Sequence, residues 1–428
     1  MTQKTLAHAA GVDAVEPGEV IFPEINLAAG SDNAIPQASR VLEDLDSKQV
    51  FNPEKVAVAS DHFHLNNSRT ALQRNSTVSR FASKFKIAKH DLPGRGGVAH
   101  IHNSDSGRVI PGDVVVAADS HACAYGALGA FGMPVGGTDL AMAMTLGKLW
   151  IQIPGAIRVT FTGEPSQLVT GKDLGLMMLR ELGPTGALGK SIEFAGESLE
   201  VFPIGDRFIL ADMAFECGAI NGMMVPHGKA LEYLGDKAER EAQYFMADDD
   251  AEYEDSIEIN AEELEPLIAD VERPGTVFGV SALEKSVPVD QVVIGGCGGA
   301  QVEDLYLAAK VMKYRQIDEN VRLLIIPGSV ETYRRLINEG LASIFTELGA
   351  SIWAPTCGPC PDTAIAELAP GETGVVTTRG RSYQNGSQVY SASVAVAAAS
   401  AVTGHLTDPR DLIGEIETPT PGADSEFQ

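Results

Sequence analysis

The sequence predicts an α/β fold built on doubly wound parallel sheets. Three observations carry that prediction. Past residue 275, short β-branched runs alternate with segments of helical spacing, the order expected of strands wound with helices. In the first half, KVAVAS (55–60), DVVVAA (113–118) and IRVTFTG (157–163) read as strands set among helices. The residues that carry chemistry, among them Asp61, Asp119, Cys297 and Cys357, stand just after such strands, at the carboxyl edge where parallel sheets bind ligands.

With 428 residues the chain is too long for one ordinary domain. An N-terminal α/β portion is expected over 1–245, in two subdomains. The acidic run 246–275, which closes on Pro-Gly, reads as a linker. A C-terminal α/β domain is expected over 276–428. Within it, DQVVIGG (290–296), RLLIIPG (322–328), SIWAP (351–355) and GVVTT (374–378) are predicted strands. EDLYLAAKVMKYR (303–315) and SVETYRRLINEGLASIFTELG (329–349) are predicted helices. The stretch 389–406 is apolar enough to suggest a membrane span. Its apolar residues are mostly Ala, broken by Ser, Thr, Gly and His, and it reads instead as a closely packed buried helix.

Composition narrows function. A net charge of −26 and a pI of about 4.7 disfavour nucleic acid and anionic membranes as partners, so an anionic substrate would need a local basic or metal-bearing pocket. The N-terminus lacks a basic stretch followed by an apolar one, which argues against a signal peptide. Five cysteines, an odd and sparse set, argue against a disulfide framework and for a reducing cytosol. Two glycine-rich runs, GPTGALGKS (183–191) and GALGAFG (126–132), miss the spacing of phosphate-binding loops.

The motif C-G-P-C, Cys357 to Cys360, has three readings: a redox dithiol, two ligands of a metal or cluster, or structural thiols. Cys297, in GGCGGAQVEDL, weighs on the second side. Its glycines let backbone approach a bulky inorganic group, and it brings the thiolates to three. Three is one short of a closed structural zinc site and suits a four-iron cluster with one iron open. Among histidines, Asp61–His62 and Asp119–Ser120–His121 each pair a carboxylate with an imidazole. H-x-H occurs at His62/His64 and at His100/His102. A carboxylate beside an imidazole fixes its tautomer and makes an acid–base unit. A lone strand-end histidine is more often structural, yet these sites crowd into residues 61–121. A histidine zinc site is the weaker reading, for want of an i, i+4 pair.

Taken together, PGDVVVAADSHACAYGALGAFG (111–132), TLGKLWIQIPGAIRV (145–159), C-G-P-C with Cys297, and VAVAAASAVTGHLTDPR (394–410) resemble the large subunits of aconitase-type hydro-lyases. The resemblance covers nearly the whole chain and points to the group of 3-isopropylmalate dehydratase, homoaconitase and dimethylmalate dehydratase. It implies three-layer α/β/α domains around a central [4Fe–4S] cluster held by Cys297, Cys357 and Cys360. It implies Asp61–His62 as the pair that assists departure of the hydroxyl. His100, Asp119, Ser120 and His121 would line the site, Glu216 would support an active-site histidine, and Asp32 would sit on the substrate side. The swivelling domain that carries the proton-abstracting serine is absent here, so a separate small subunit is implied as partner, with a di- or tricarboxylate as substrate.

Departures from the family pattern bear on the substrate. The usual C-T-N turn is Cys297–Gly298–Gly299, and an expected Asn is Asp212. The arginine run becomes RGRSYQNGS (379–387), in which Arg381 is expected to stand in for the first arginine, with Arg379 nearby. The expectation is therefore a cytoplasmic hydro-lyase large subunit acting on 3-isopropylmalate. Homoaconitate, 2,3-dimethylmalate or citramalate types are alternative substrates, and a non-catalytic cluster-bearing regulator is the alternative of another class.

Overall fold

The computed structural model describes residues 1–412 apart from 227, 239, 284–285, 360–364 and 381–384. Its strands form three large sheets and one small ribbon among the described residues. The first sheet is all parallel, with Lys89–Asp91, Val56–Ala59, Leu27–Ser31, Val114–Ala117 and Phe131–Pro134 side by side in that order. Because side chains alternate along a strand, both of its faces bury apolar residues. Ala28, Val56, Val58 and Val116 meet the helices Ile35–Asp44, Arg69–Phe85 and Gly137–Leu146. Leu27, Ala29, Ala57, Val115 and Ala117 meet Ala122 and Tyr125 of the 3-10 segment Ser120–Leu128.

The second sheet is also parallel, in the order Asn221–Met224, Ser191–Ala195, Ala156–Thr162, Asp255–Asn260. Two helices, Gly171–Leu182 and Ile204–Glu216, share its apolar core. The third sheet has seven strands. Five run parallel in the order Gln388–Ala392, Thr373–Val376, Gln291–Gly295, Arg322–Ile326, Ser351–Ile352, and two antiparallel strands, Leu267–Asp270 and Val277–Gly279, extend one side.

Three expectations need correction. The acidic stretch 246–275, read as a linker, contributes Asp255–Asn260 to the second sheet and Leu267–Asp270 to the third. On the edge strand Asp255–Asn260 the charges are exposed, so composition hid inward apolar residues such as Ile259. The predicted helix 329–349 is two helices, Val330–Asn338 and Leu341–Glu347, broken at Gly340, whose φ of 82° is left-handed. The alanine-rich stretch 389–406 begins as strand Gln388–Ala392 before the helix Val394–Thr403. That helix is buried against Val302–Met312 on the third sheet, as its small side chains allow. No helix among the described residues is long and apolar enough to cross a membrane.

One contact locks the first and second sheets together. A methyl group on Gly126, in the 3-10 segment that joins strands Val114–Ala117 and Phe131–Pro134 of the first sheet, would lie 1.5 Å from the Gly222 carbonyl oxygen on the second sheet's edge strand. Only a residue without Cβ permits this approach of backbone to backbone. Gly126→Ala is therefore expected to lower stability by about 3 kcal/mol, the upper end of overpacking costs. Urea unfolding monitored by circular dichroism measures it, and a loss below about 1 kcal/mol would show that the two segments can slide apart.

Candidate active site

Three neighbouring strands of the first sheet present the residues after them at one edge. Strand Leu27–Ser31 leads to Asp32, Val56–Ala59 to Asp61 and His62, and Val114–Ala117 to Asp119, Ser120 and His121. These side chains are distant in sequence, and the parallel strand order makes them neighbours. Asp61 is fully buried. One carboxylate oxygen lies 2.6 Å from His62 Nδ1, and the other accepts the Ala99 N–H at 2.8 Å. The second bond caps the helix Ala99–Asp105, whose own N-cap residue, Val98, has no side chain able to do so. Asp32 accepts the backbone N–H groups of His62 and Phe63 at 3.0 and 2.9 Å, which holds the loop turned inward.

The second carboxylate–imidazole unit is built likewise. Asp119 Oδ1 accepts the His121 backbone N–H at 3.0 Å and lies 2.9 Å from His121 Nδ1. Its other oxygen lies 3.5 Å from His100 Nδ1, and the rings of His100 and His121 stack with centroids 5.2 Å apart. The Ser120 hydroxyl lies 3.5 Å from His121 Nδ1. His102 points elsewhere: it joins Arg108 on Asp91, a buried structural ion cluster.

The third sheet meets this edge from the opposite side. Cys297 stands just after strand Gln291–Gly295, and its carbonyl oxygen lies 3.3 Å from His100 Nε2. The Cys357 N–H donates to the Asp61 carbonyl oxygen at 2.9 Å, and the Thr356 hydroxyl donates to the same oxygen at 2.8 Å. Cys297 and Cys357 are both buried, with Val98, Ile101 and Ala300 around them. The two cysteine loops touch: a methyl on Gly296, at φ 88°, would meet the Cys357 carbonyl oxygen at 2.7 Å. Cys360 and Arg381, both expected in the site, lie outside the described residues.

Two expectations change in detail. Glu216, expected to support a histidine, instead pairs its carboxylate with Arg379, Nε to Oε1 3.0 Å. The acid facing His121 is Asp212, 3.7 Å from Nε2. Both acids lie on helix Ile204–Glu216 one turn apart, so spacing alone could not separate their roles. Arg379 is thus held by an internal acid. Sequence reasoning passed over Lys172 and Thr356. T-C-G-P-C carries no cue that its threonine bonds across sheets, and T-G-K-D reads only as a helix start.

Charge tracks this packing. Burial would push the His62 imidazolium down, but the adjoining Asp61 carboxylate, with Asp32 and Asp119, raises its pKa to about 10. Burial drives Asp32 up to about 6, with Asp61 adding to the rise. Burial opposes the charge on Asp119 too, yet His121 and His100 hold it well below the ordinary carboxylate range. His121 is lowered by burial and raised far more by Asp212, Cys297 and Asp119. His62 is consequently cationic at neutral pH, and the shift at His121 favours its cationic form.

A model of the aconitase family (aconitate hydratase) matches residues 30–287 and 281–404. The chain belongs to the aconitase family. It is 38% identical over 416 residues to the 3-isopropylmalate dehydratase large subunit of Caldicellulosiruptor saccharolyticus, spanning 96% of this chain and 97% of that protein. It is 40% identical over 417 residues to the protein of the same name from Clostridium kluyveri, with 96% and 99% covered. For the one from Syntrophus aciditrophicus the identity is 39% over 416 residues, again with 96% and 99% covered. By family the chain is a hydro-lyase, and family members carry an iron–sulfur cluster. The residues present fit such a group: two buried thiols on touching loops, in an apolar shell and beside histidines.

The coupling between Asp61 and His62 has a pH signature. The folded chain holds the His62 proton more tightly than the unfolded chain, whose histidine titrates near about 6.5. That stabilisation is complete below about pH 6.5 and is lost as pH rises towards 10. Urea midpoints of the cluster-free chain are expected to fall across this window. In Asp61→Asn the loss should still begin near about pH 6.5, where the unfolded chain titrates, but should be smaller and end at lower pH; an unchanged profile would remove Asp61 as its cause.

Proposed function

We propose that this chain is the large, cluster-bearing subunit of a hydro-lyase that removes water from an alkyl-substituted malate and returns it at the adjacent carbon. The observation that carries the reading is the buried Asp61–His62 pair, 2.6 Å apart, whose aspartate carbonyl is bonded to Cys357. In this reading Cys297 and Cys357, with Cys360, hold a [4Fe–4S] cluster by three thiolates. When bound, that group supplies an open iron as a Lewis acid for the substrate hydroxyl.

The chain's own residues do the rest. Asp61 engages His62 through Nδ1, which leaves the Nε2–H as the acidic face. As the C–O bond breaks, His62 gives this proton to the departing hydroxyl, which leaves as water. The imidazolium is available throughout the neutral range, since Asp61 holds it protonated. His121, oriented by Asp119, and His100 place further N–H groups beside the same reacting centre. Asp32 and Ser120 complete the substrate side, with Arg379 at its margin. The proton on the neighbouring carbon is taken by a base outside this chain. The relatives are named large subunits, which supports a separate small subunit as its source. A cytoplasmic setting accords with the sparse cysteines.

The test is anaerobic reconstitution with iron, sulfide and a small subunit from such a relative, then assay on 3-isopropylmalate and other alkyl malates. His62→Gln and Asp61→Asn should keep the cluster's visible absorbance while kcat drops about 100-fold or more. A variant with full activity would remove the pair from the reaction. Separately, Cys297→Ser and Cys357→Ser should lose bound iron and sulfide, whereas Cys123→Ser and Cys217→Ser should retain them. A cluster that depends on Cys123 would overturn the ligand assignment.

A further inference from the structure

Lys172 is a buried ammonium that no carboxylate of the described residues pairs with. It stands at the start of helix Gly171–Leu182, behind the capping box of Thr170 and Asp173, and is 4% exposed. Its Nζ lies 3.4 Å from the Thr378 carbonyl oxygen and 3.7 Å from the Met213 sulfur. A carbonyl and a thioether are weak compensation for a buried cation, which ordinarily demands an anionic partner. Glu216, Asp212 and Cys297 act on it electrostatically from greater range, and burial nonetheless lowers its pKa.

Its surroundings bear on which anion it could receive. Lys172 lines a cavity of about 520 Å³ whose walls include Leu176, Leu179, Met213 and Phe215, with Arg379, Glu216 and Asp270 also on its lining; Asp270 is already paired with Arg273. It also lines a second, much smaller space of about 10 Å³, room for a single water, that reaches Cys297 and Thr378. Lys172, Met213, Glu216 and Arg379 border both, so the apolar cavity adjoins the cysteine loop across these four side chains. A cation beside an apolar wall fits an organic anion that carries an alkyl group. Arg379 is a weaker candidate for the cation, since Glu216 already holds it.

We propose that Lys172 receives a carboxylate of the substrate, taking over as a point charge the work of the arginine run altered at 379–387, while Leu176, Leu179, Met213 and Phe215 receive its alkyl substituent. This inference rests on the hydro-lyase reading above. It makes Lys172 a substrate-binding residue of that same site. Selectivity then divides into two parts. The ammonium recognises charge without the directional demand of a guanidinium, and the wall recognises hydrocarbon volume.

The test uses the reconstituted two-subunit complex and 2-isopropylsuccinate, which has the carboxylates and the alkyl arm but no hydroxyl to lose. Its monoamides serve as the charge-deleted comparison. Calorimetry on the wild-type complex should show the diacid bound more tightly than the monoamide that lacks the Lys172-directed charge. Lys172→Met should weaken the diacid by about ten- to a hundredfold and abolish the preference, with iron and sulfide content unchanged. Lys172→Gln, neutral and closer in hydrogen bonding, is the second variant should Lys172→Met fold poorly, and Lys172→Arg should keep the preference. Diacid binding undiminished in the neutral variants overturns the inference alone. Loss of the cluster in the neutral variants but not in Lys172→Arg also overturns it, because the charge would then serve the cluster. A wild-type complex that binds neither probe overturns the substrate reading and this inference together.

Discussion

The site depends on one residue used from three directions. The Asp61 carboxylate accepts the N–H of Ala99 and engages His62, while its backbone carbonyl accepts both the Cys357 N–H and the Thr356 hydroxyl. The first contact anchors a helix, the second holds an imidazole, and the third joins the carboxyl edges of two sheets. All are buried, where each hydrogen bond is electrostatically strong and its loss leaves a desolvated partner. The acid–base pair and the cysteine loop therefore cannot move independently. Displacement of either shifts the other, and the chemistry proposed for them requires that coupling.

Around this junction the charges sort themselves against the overall balance of the chain. The sequence carries a net charge of −26, which repels a carboxylate substrate at long range. Close to the site, cations are gathered among the acids. The carboxylates of Asp61 and Asp119 engage His62 and His121, and Lys172 adds a basic group with no acid of the described residues at contact distance. An acidic protein thus places basic side chains where an anion can reach them. The acids are needed for this effect, because without them burial would discharge the histidines.

Much of the site was legible because strand ends in a parallel sheet can be located from β-branched runs and the polar residues just after them. Asp61, His62, Asp119 and His121 were found by that rule, whereas Asp32 came only from the family resemblance. His100 was found as part of a pattern, although its neighbour His102 belongs to a structural ion cluster with Asp91 and Arg108. The acidic segment 246–275 misled because its strand Asp255–Asn260, at a sheet edge, shows more charge than apolar alternation, and its second strand, Leu267–Asp270, is only four residues long. The helix over 329–349 was read as one because Gly340 breaks it without interrupting its apolar periodicity. The acid facing His121 is Asp212 rather than Glu216, one helical turn away, because only the path of the helix past His121 decides which acid meets it.

By itself the sequence determined the local elements, the family, the carboxylate–imidazole pairs and the two described cysteines on strand-end loops. These are properties of residues near one another in the chain, or of a pattern repeated in relatives. The tertiary structure alone decided which carboxylate faces which cation, that Thr356 and Cys357 close on the Asp61 carbonyl, and that Lys172 lies buried between an apolar cavity and Cys297. The reason is physical: burial and pairing set the energy of a charge, and both depend on residues that the chain brings together only when its sheets dock.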